Sequence, residues 1–256
     1  MFKVERIRRI KEILSECYQI DVATLSNLLG VSDATIRNDF EELEQEGFLT
    51  RFHGGATIHS IDEKENQDDL FGGVSVSFDK NKEQLGLIAS KLIQEREWIF
   101  LGPGTTSYYI AKALLQRKNI NVLTNNFGVA SVLSSNVNIQ VVFLGGKLIP
   151  HYSYSFPDDI ETSFRNMYLD KCFFSVDGVD FDGGYTLSDW NIQEMIKTVS
   201  KKSKQLVFTI DSTKFGKRSF RKIGNLDFPD ILITNGDMPA EFESYYTEHG
   251  VPVYTS

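Results

Sequence analysis

The sequence predicts an α/β protein in two parts. A small N-terminal unit of three short helices and a hairpin precedes a larger domain with a mostly parallel sheet and flanking helices. Three observations carry this. Apolar residues recur at helical spacing through roughly the first 58 residues. A polar, acidic stretch with neither helical nor strand period follows, from His59 to Asp69, and Gly72-Gly73 comes soon after. Beyond residue 80, short apolar runs alternate with helical patterns. The expected division is therefore 1–58, a linker at 59–79, and a second domain at 80–256.

Composition narrows the classes. The chain has 256 residues, 41% hydrophobic and 24% charged, which excludes a disordered or collagen-like protein. No apolar run approaches the roughly 20 residues a membrane span needs. The start, Met1 to Arg6, is basic but leads into no continuous apolar stretch, so no signal peptide is expected. Cys17 and Cys172 are the two cysteines and match neither a metal spacing nor a disulfide framework. The reducing cytoplasm is the expected compartment, and neither metal nor cofactor is expected. The net charge of −8, taken whole, argues against nucleic acid, because phosphate binding is driven by positive charge. The distribution reverses that. Residues 1–11 carry Lys3, Arg6, Arg8, Arg9 and Lys11 against Glu5, a net +4 that leaves −12 for the rest.

The first helix is predicted from Val4, Ile7, Ile10, Leu14 and Cys17. Asp21 can cap a second helix with Val22, Leu25, Leu28 and Leu29 on one face, and Gly30 ends it. Ser32 can cap a third, with Ile36, Phe40 and Leu43 buried and Gly47 at its end. The connection Gly30-Val31-Ser32 is short and contains a glycine, as a helix-turn-helix requires. Two short apolar runs, Phe48 to Phe52 and Ala56 to Ile58, flank His53-Gly54-Gly55 and predict a hairpin, the wing of a winged helix.

Thr35, Arg37 and Asn38 can face outward together near the start of the third helix. Arg suits guanine O6/N7, Asn suits adenine N6/N7, and Thr suits phosphate or a thymine methyl. The candidate DNA-contacting residues are Arg6, Arg9, Ser32, Thr35, Arg37, Asn38, Arg51 and His53. The acidic run Glu41, Glu42, Glu44, Glu46 is expected to be a solvated face turned away from phosphate.

Gly30 to Asp39, then Leu43-Glu44-Gln45-Glu46-Gly47, then Thr50 to Ala56 resemble the DNA-binding signature of the DeoR family of bacterial transcription regulators. The resemblance covers residues 1–58. It departs at Asn38, where the family usually has a second Arg. It implies double-stranded operator DNA as a partner.

In the larger domain, strands are predicted at Trp98–Leu101, Asn121–Thr124, Ile139–Leu144, Cys172–Val176, Leu206–Ile210 and Ile231–Thr234. Gly102-Pro103-Gly104-Thr105-Thr106-Ser107 joins the first of these to a helix. Such a turn exposes N–H groups at a helix N-terminus and favours phosphate, while matching neither a P-loop nor a dinucleotide fingerprint. Parallel sheets bind ligands at the carboxyl ends of their strands, so the polar loops that follow the strands are expected on one rim. The candidate effector residues are Gly102, Gly104, Thr105, Thr106, Asn125, Asn126, Gly145, Gly146, Lys147, Asp177, Asp180, Lys197 and Lys214. Each has a plainer reading: helix caps for the Asn residues, turn formers for the Asp residues, and an i,i+3 partner of Glu194 for Lys197. Together they suit a polyol phosphate, with amides and Lys for phosphate and Asp and Asn for hydroxyls.

These loops resemble the DeoR-family sensor domain, which is similar to ribose-5-phosphate isomerase, across about residues 80–235. The resemblance implies a repressor of a carbohydrate operon tuned by a phosphorylated sugar and working as a homodimer or homotetramer. It departs at Gly102 (usually Asp), at His151 to Phe156 (often Gly-rich) and at Gln193 (usually Glu). The alternative is a sugar-phosphate isomerase with an appended DNA-binding module. Asp177 or Asp180 would then serve as base beside Lys197 or Lys214.

Overall fold

A computed structural model describes residues 3–17, 19–52, 54–57, 79–149, 153–236 and 238–255. The chain forms two compact units, Met1–Gln67 and Asp68–Ser256. Of the expected linker, only Asp79 is among the described residues, and it caps the helix that follows.

The first unit runs α1 (Lys3–Cys17), β1 (Gln19–Asp21), α2 (Val22–Leu29), α3 (Asp33–Gln45), β2 (Thr50–Phe52) and β3 (Gly55–Thr57). Asp21 caps α2 by accepting Thr24 N–H at 2.8 Å, and Gly30 closes it in the left-handed region at φ 63°. The core joins Ile10, Leu14, Leu25, Ile36, Phe40 and Leu43. Two residues expected on buried faces are exposed: Val4 at 84% and Leu28 at 63%. Val4 lies in the first turn of α1, well ahead of buried Ile10. Leu28 sits about a quarter turn off the stripe formed by Val22, Leu25 and Leu29. The wing has a third strand that periodicity missed, in the order β1-β3-β2, all antiparallel.

The second unit begins with α4 (Lys80–Leu92), β4 (Trp98–Leu101), α5 (Thr105–Leu114), β5 (Ile120–Thr124), α6 (Phe127–Ser134) and β6 (Ile139–Phe143). A hairpin of β7 (Lys147–Ile149) and β8 (Tyr154–Phe156) follows, then α7 (Ile160–Ser163) and β9 (Leu169–Phe174). Next come β10 (Gly178–Asp180), β11 (Gly184–Leu187), α8 (Trp190–Ser200), β12 (Ser203–Ile210) and β13 (Arg221–Gly224). The described chain closes with β14 (Ile231–Thr234), α9 (Ala240–Glu248) and β15 (Val253–Tyr254).

Seven strands form one sheet in the order β15-β14-β12-β9-β4-β5-β6, and every pair is parallel. Strand alternation sends Ile99, Leu101, Phe173 and Val207 to one face, against Leu85, Ile110 and Val129 of α4, α5 and α6. Phe100, Cys172, Phe174 and Phe208 go to the other, against Met195 and Ile196 of α8 and Phe242 of α9. Helices therefore cover both faces, as a parallel sheet demands. A smaller antiparallel sheet, β10-β11-β13, had no counterpart in the expected strands. From β4 the chain first builds outward through β5 and β6, then returns to the far side of β4 with β9. The crevice between β4 and β9 is thus a topological switch point, where open α/β sheets place ligands.

Candidate functional site

In the first unit the residues of α3 divide sharply. Ser32 accepts Thr35 N–H at 3.3 Å, and the two hydroxyls lie 2.9 Å apart, so both side chains serve the helix cap. Ile36, Asp39 and Phe40 are buried, which turns Arg37 and Asn38 outward. The geometry thus presents an Arg and an Asn side by side at the start of the helix that follows the turn.

The cations behind them are mostly engaged. Arg6 is not a free contact: its Nε and Nη2 meet the Asp39 carboxylate at 2.5 and 3.0 Å, with side chains only 11% and 3% exposed. That carboxylate raises the Arg6 pKa, and the pair ties α1 to α3. Lys3 pairs with Glu42 at 2.5 Å and Lys11 with Glu46 at 3.0 Å. Arg51 gives Glu44 both its main-chain N–H (2.8 Å) and its Nε (2.7 Å), fastening the wing to α3. These bonds hold the Glu44 carboxyl below its ordinary range. Glu42, Glu44 and Glu46 keep side chains 44%, 35% and 47% exposed, as a solvated face would, and they also hold the cations of α1 and the wing. Arg8 and Arg9 are exposed and share Glu12 at 3.6 Å. Among the described residues of this unit, Arg37 is the cation in no ion pair. His53 lies outside the described residues.

In the second unit the switch point gathers several of the expected residues. Gly104, at φ 105°, starts α5, and no side chain caps that helix. Thr105 is exposed in its first turn, while Thr106 and Ser107 are buried. Asn126 Nδ2 donates to Gly104 O at 3.0 Å, and its Oδ1 accepts Val129 N–H at 3.2 Å. Thr124 Oγ1 donates to Leu101 O at 2.7 Å. Asn125, fully buried, donates from Nδ2 to Ser155 O at 2.7 Å, and its Oδ1 has no partner. The ends of β4 and β5 are thus stitched to β8. A Cβ at Gly102 would sit 2.6 Å from the Phe174 ring, so this ring sets the glycine there.

The β7–β8 hairpin closes one side. Gly146 is needed where a Cβ would meet Phe156 O at 2.3 Å, Gly145 faces open space, and Lys147 is exposed on β7. His151 and Tyr152 lie outside the described residues. Tyr154 is fully buried, and its hydroxyl donates to Asp189 Oδ2 at 2.9 Å. The aromatic replacement at 154 therefore anchors the hairpin to the cap of α8 rather than lining open space.

Other candidates are bound elsewhere. Asp180 accepts two bonds from Arg218, both at 2.6 Å, and one from Gly183 N–H. Arg218 foremost holds its carboxyl well below the usual range. Asp177 Oδ2 accepts the Ser188 N–H at 2.7 Å and the Ser188 hydroxyl at 2.6 Å. Lys197 is exposed and pairs with Glu194 at 3.1 Å, the plain i,i+3 pair. Asp180 and Lys197 are therefore not free effector contacts. Lys214, half-buried in a 3-10 turn after β12, is in no ion pair among the described residues. Missed at the sequence level were Phe174, Asp189 and the cluster that Gln193, visible there only as a departure from the family, forms with Trp190 and Arg221. No local spacing marks them, because each is placed by long-range packing.

Comparison with known proteins decides what carries these sites. Residues 78–236 match the family model of the DeoR C-terminal sensor domain, and residues 6–62 that of the DeoR-like helix-turn-helix domain. The chain belongs to the DeoR family. It is 30% identical to the HTH-type transcriptional regulator GolR of Listeria innocua, across 99% of this chain and 98% of that one. A putative aga operon transcriptional repressor of Escherichia coli O157:H7 is 27% identical over 97% of this chain and 92% of its own. The glycerol-3-phosphate regulon repressor of Escherichia coli K12 is 24% identical over 98% of each. Among solved structures, ribose 5-phosphate isomerase A of Neisseria gonorrhoeae aligns at a TM-score of 0.40 and 19% identity, over 54% of this chain and 53% of that one. The DeoR-family chain is a DNA-binding transcription regulator with a sensor domain. Among its described residues no helix is long and apolar enough to cross a membrane, and no metal-holding cluster occurs.

Proposed function

We propose that this regulator represses a carbohydrate-use operon in the cytoplasm, and that a phosphorylated sugar at the Gly104 turn tunes its grip on DNA. Residues 1–58 read DNA, 59–79 link, and 80–256 sense and assemble. One observation carries the sensing part: the start of α5, capped by no side chain and with Thr105 exposed, lies at the switch point and is bonded through Gly104 O to Asn126, whose neighbour in sequence, Asn125, has a buried Oδ1 without a partner. Backbone N–H groups there suit phosphate, and the buried carbonyl suits a hydroxyl. Relatives named for the aga operon and the glycerol-3-phosphate regulon support the same class.

Two copies of α3 would read an inverted repeat, with half-sites spaced by about 10 bp or multiples. The effector shifts DNA binding only by its differential affinity for the competent and incompetent states. The isomerase alternative is weaker, because Asp180 is locked to Arg218 and Lys197 to Glu194.

The test is a thermal-shift screen of the full chain with a panel including ribose 5-phosphate and glycerol 3-phosphate. A ligand selective for the folded state raises the midpoint. Thr105→Ala and Thr106→Ala are expected to blunt that rise and the response of DNA binding. Unchanged ligand binding in both variants would remove the phosphate turn from the account.

A further inference from the structure

We propose that the contact between α8 and β13 forms a second binding cradle in the sensor unit, shaped for an acidic group flanked by a hydroxyl, as at the carboxylate end of a sugar acid. Two buried polar atoms of opposite sense lie there without partners. Gln193 is 4% exposed, its Nε2 donates to Lys222 O at 2.9 Å, and its Oε1 accepts nothing. Arg221 is half-buried with its guanidinium 3.2 Å from the centre of the Trp190 ring, and its Nη1 donates to nothing. Trp190 and Gln193 are three residues apart on α8 and share a face, and both meet β13. The unfilled donor and acceptor therefore belong to one contact.

Leaving such groups unpaired in the interior is costly, and more so for a cation. Arg221 is in no ion pair among the described residues. The nearby Asp189 carboxylate is committed to the N–H groups of Asn191 and Ile192 and to the Tyr154 hydroxyl. A ligand that fills the cradle supplies an oxygen to Arg221 Nη1 and an O–H to Gln193 Oε1. Because residue 193 is a neutral amide, the guanidinium charge stays uncompensated. The oxygen it takes is then that of an anion, which separates a hydroxy acid from a neutral polyol. The proposal rests on the reading above only in placing a metabolite in the sensor unit; it needs no phosphate.

Trp190 is 60% exposed and is one of two tryptophans, so it reports on the cradle once Trp98 is replaced by Phe. The experiment titrates the full Trp98→Phe chain with D-gluconate and, separately, sorbitol. Gluconate is expected to change the Trp190 emission saturably and sorbitol to leave it unchanged. Arg221→Met is expected to abolish the response. Gln193→Glu supplies an internal carboxylate for Arg221 and is expected to weaken gluconate binding about tenfold or more, and it carries the test if Arg221→Met does not fold. An equal response to sorbitol, no response to gluconate, or undiminished binding in Gln193→Glu would overturn the cradle. A positive sugar-phosphate screen with no gluconate response defeats the cradle alone, and the reverse defeats the phosphate reading alone.

Discussion

In the N-terminal unit every described cation but Arg37 is answered by a carboxylate of the same unit, whereas in the sensor unit buried polar atoms of Asn125, Gln193 and Arg221 go unanswered. On the function proposed, the two units thus prepare for their partners by opposite means. DNA offers a dense row of phosphates, and a surface of loose cations would hold any sequence by counterion release. Pairing those cations internally leaves the exposed Arg37 and Asn38 to weigh more in the choice of bases. A small metabolite offers few groups, so affinity must come from donors and acceptors already desolvated and aimed.

The largest expected effect follows from breaking the N-terminal pairing. Asp39→Ala strands the Arg6 guanidinium against α3 and is expected to cost the first unit about 3–5 kcal/mol, as for other buried pairs cut on one side. A urea titration followed by circular dichroism reads it, and a loss below about 1 kcal/mol would show that this pair is ornamental. The sensor side is sharpened by Gly102→Ala. Its Cβ would meet the Phe174 ring at 2.6 Å, so a loss of about 1–3 kcal/mol is expected, with partial recovery in a Phe174→Leu background. Additive losses in that double-mutant cycle would contradict the close approach.

A smaller effect concerns Asp180, whose partner Arg218 is more than half exposed. Its folded-state pKa lies below the unfolded one, so its contribution is present above the ordinary carboxylate range and is lost as pH falls through the depressed value. The stability gap between parent and Arg218→Met is therefore expected to narrow as pH drops from about 5 toward 2. A gap that stays constant or widens would assign the bond no electrostatic role.

Much of the frame was legible because its elements are long or strongly patterned. Trp98–Leu101 and Ile231–Thr234 fall where short unbroken apolar runs put them, and Gly30 and Ser32 mark the turn between α2 and α3. The strands β1, β7, β10 and β13 have three or four residues each and no unbroken apolar run, so they read as loops. At the candidate sites, the Gly104 turn was visible because its glycines and hydroxyls are contiguous. The engagement of Arg6 was not, because Asp39 lies 33 residues away. Nor was the Trp190–Gln193–Arg221 cluster, which exists only once α8 packs on β13.

The most direct measurement is fluorescence anisotropy on a duplex selected from random sequence by the full chain, comparing the parent with Arg37→Ala across a salt series. Loss of one bidentate base contact is expected to cost about 1–3 kcal/mol and to relax the preference at one position in each half-site. The parent's salt slope is expected to be modest for each subunit, because the other cations are already paired. Parent-like affinity and sequence preference in Arg37→Ala would contradict the placing of base recognition at the start of α3.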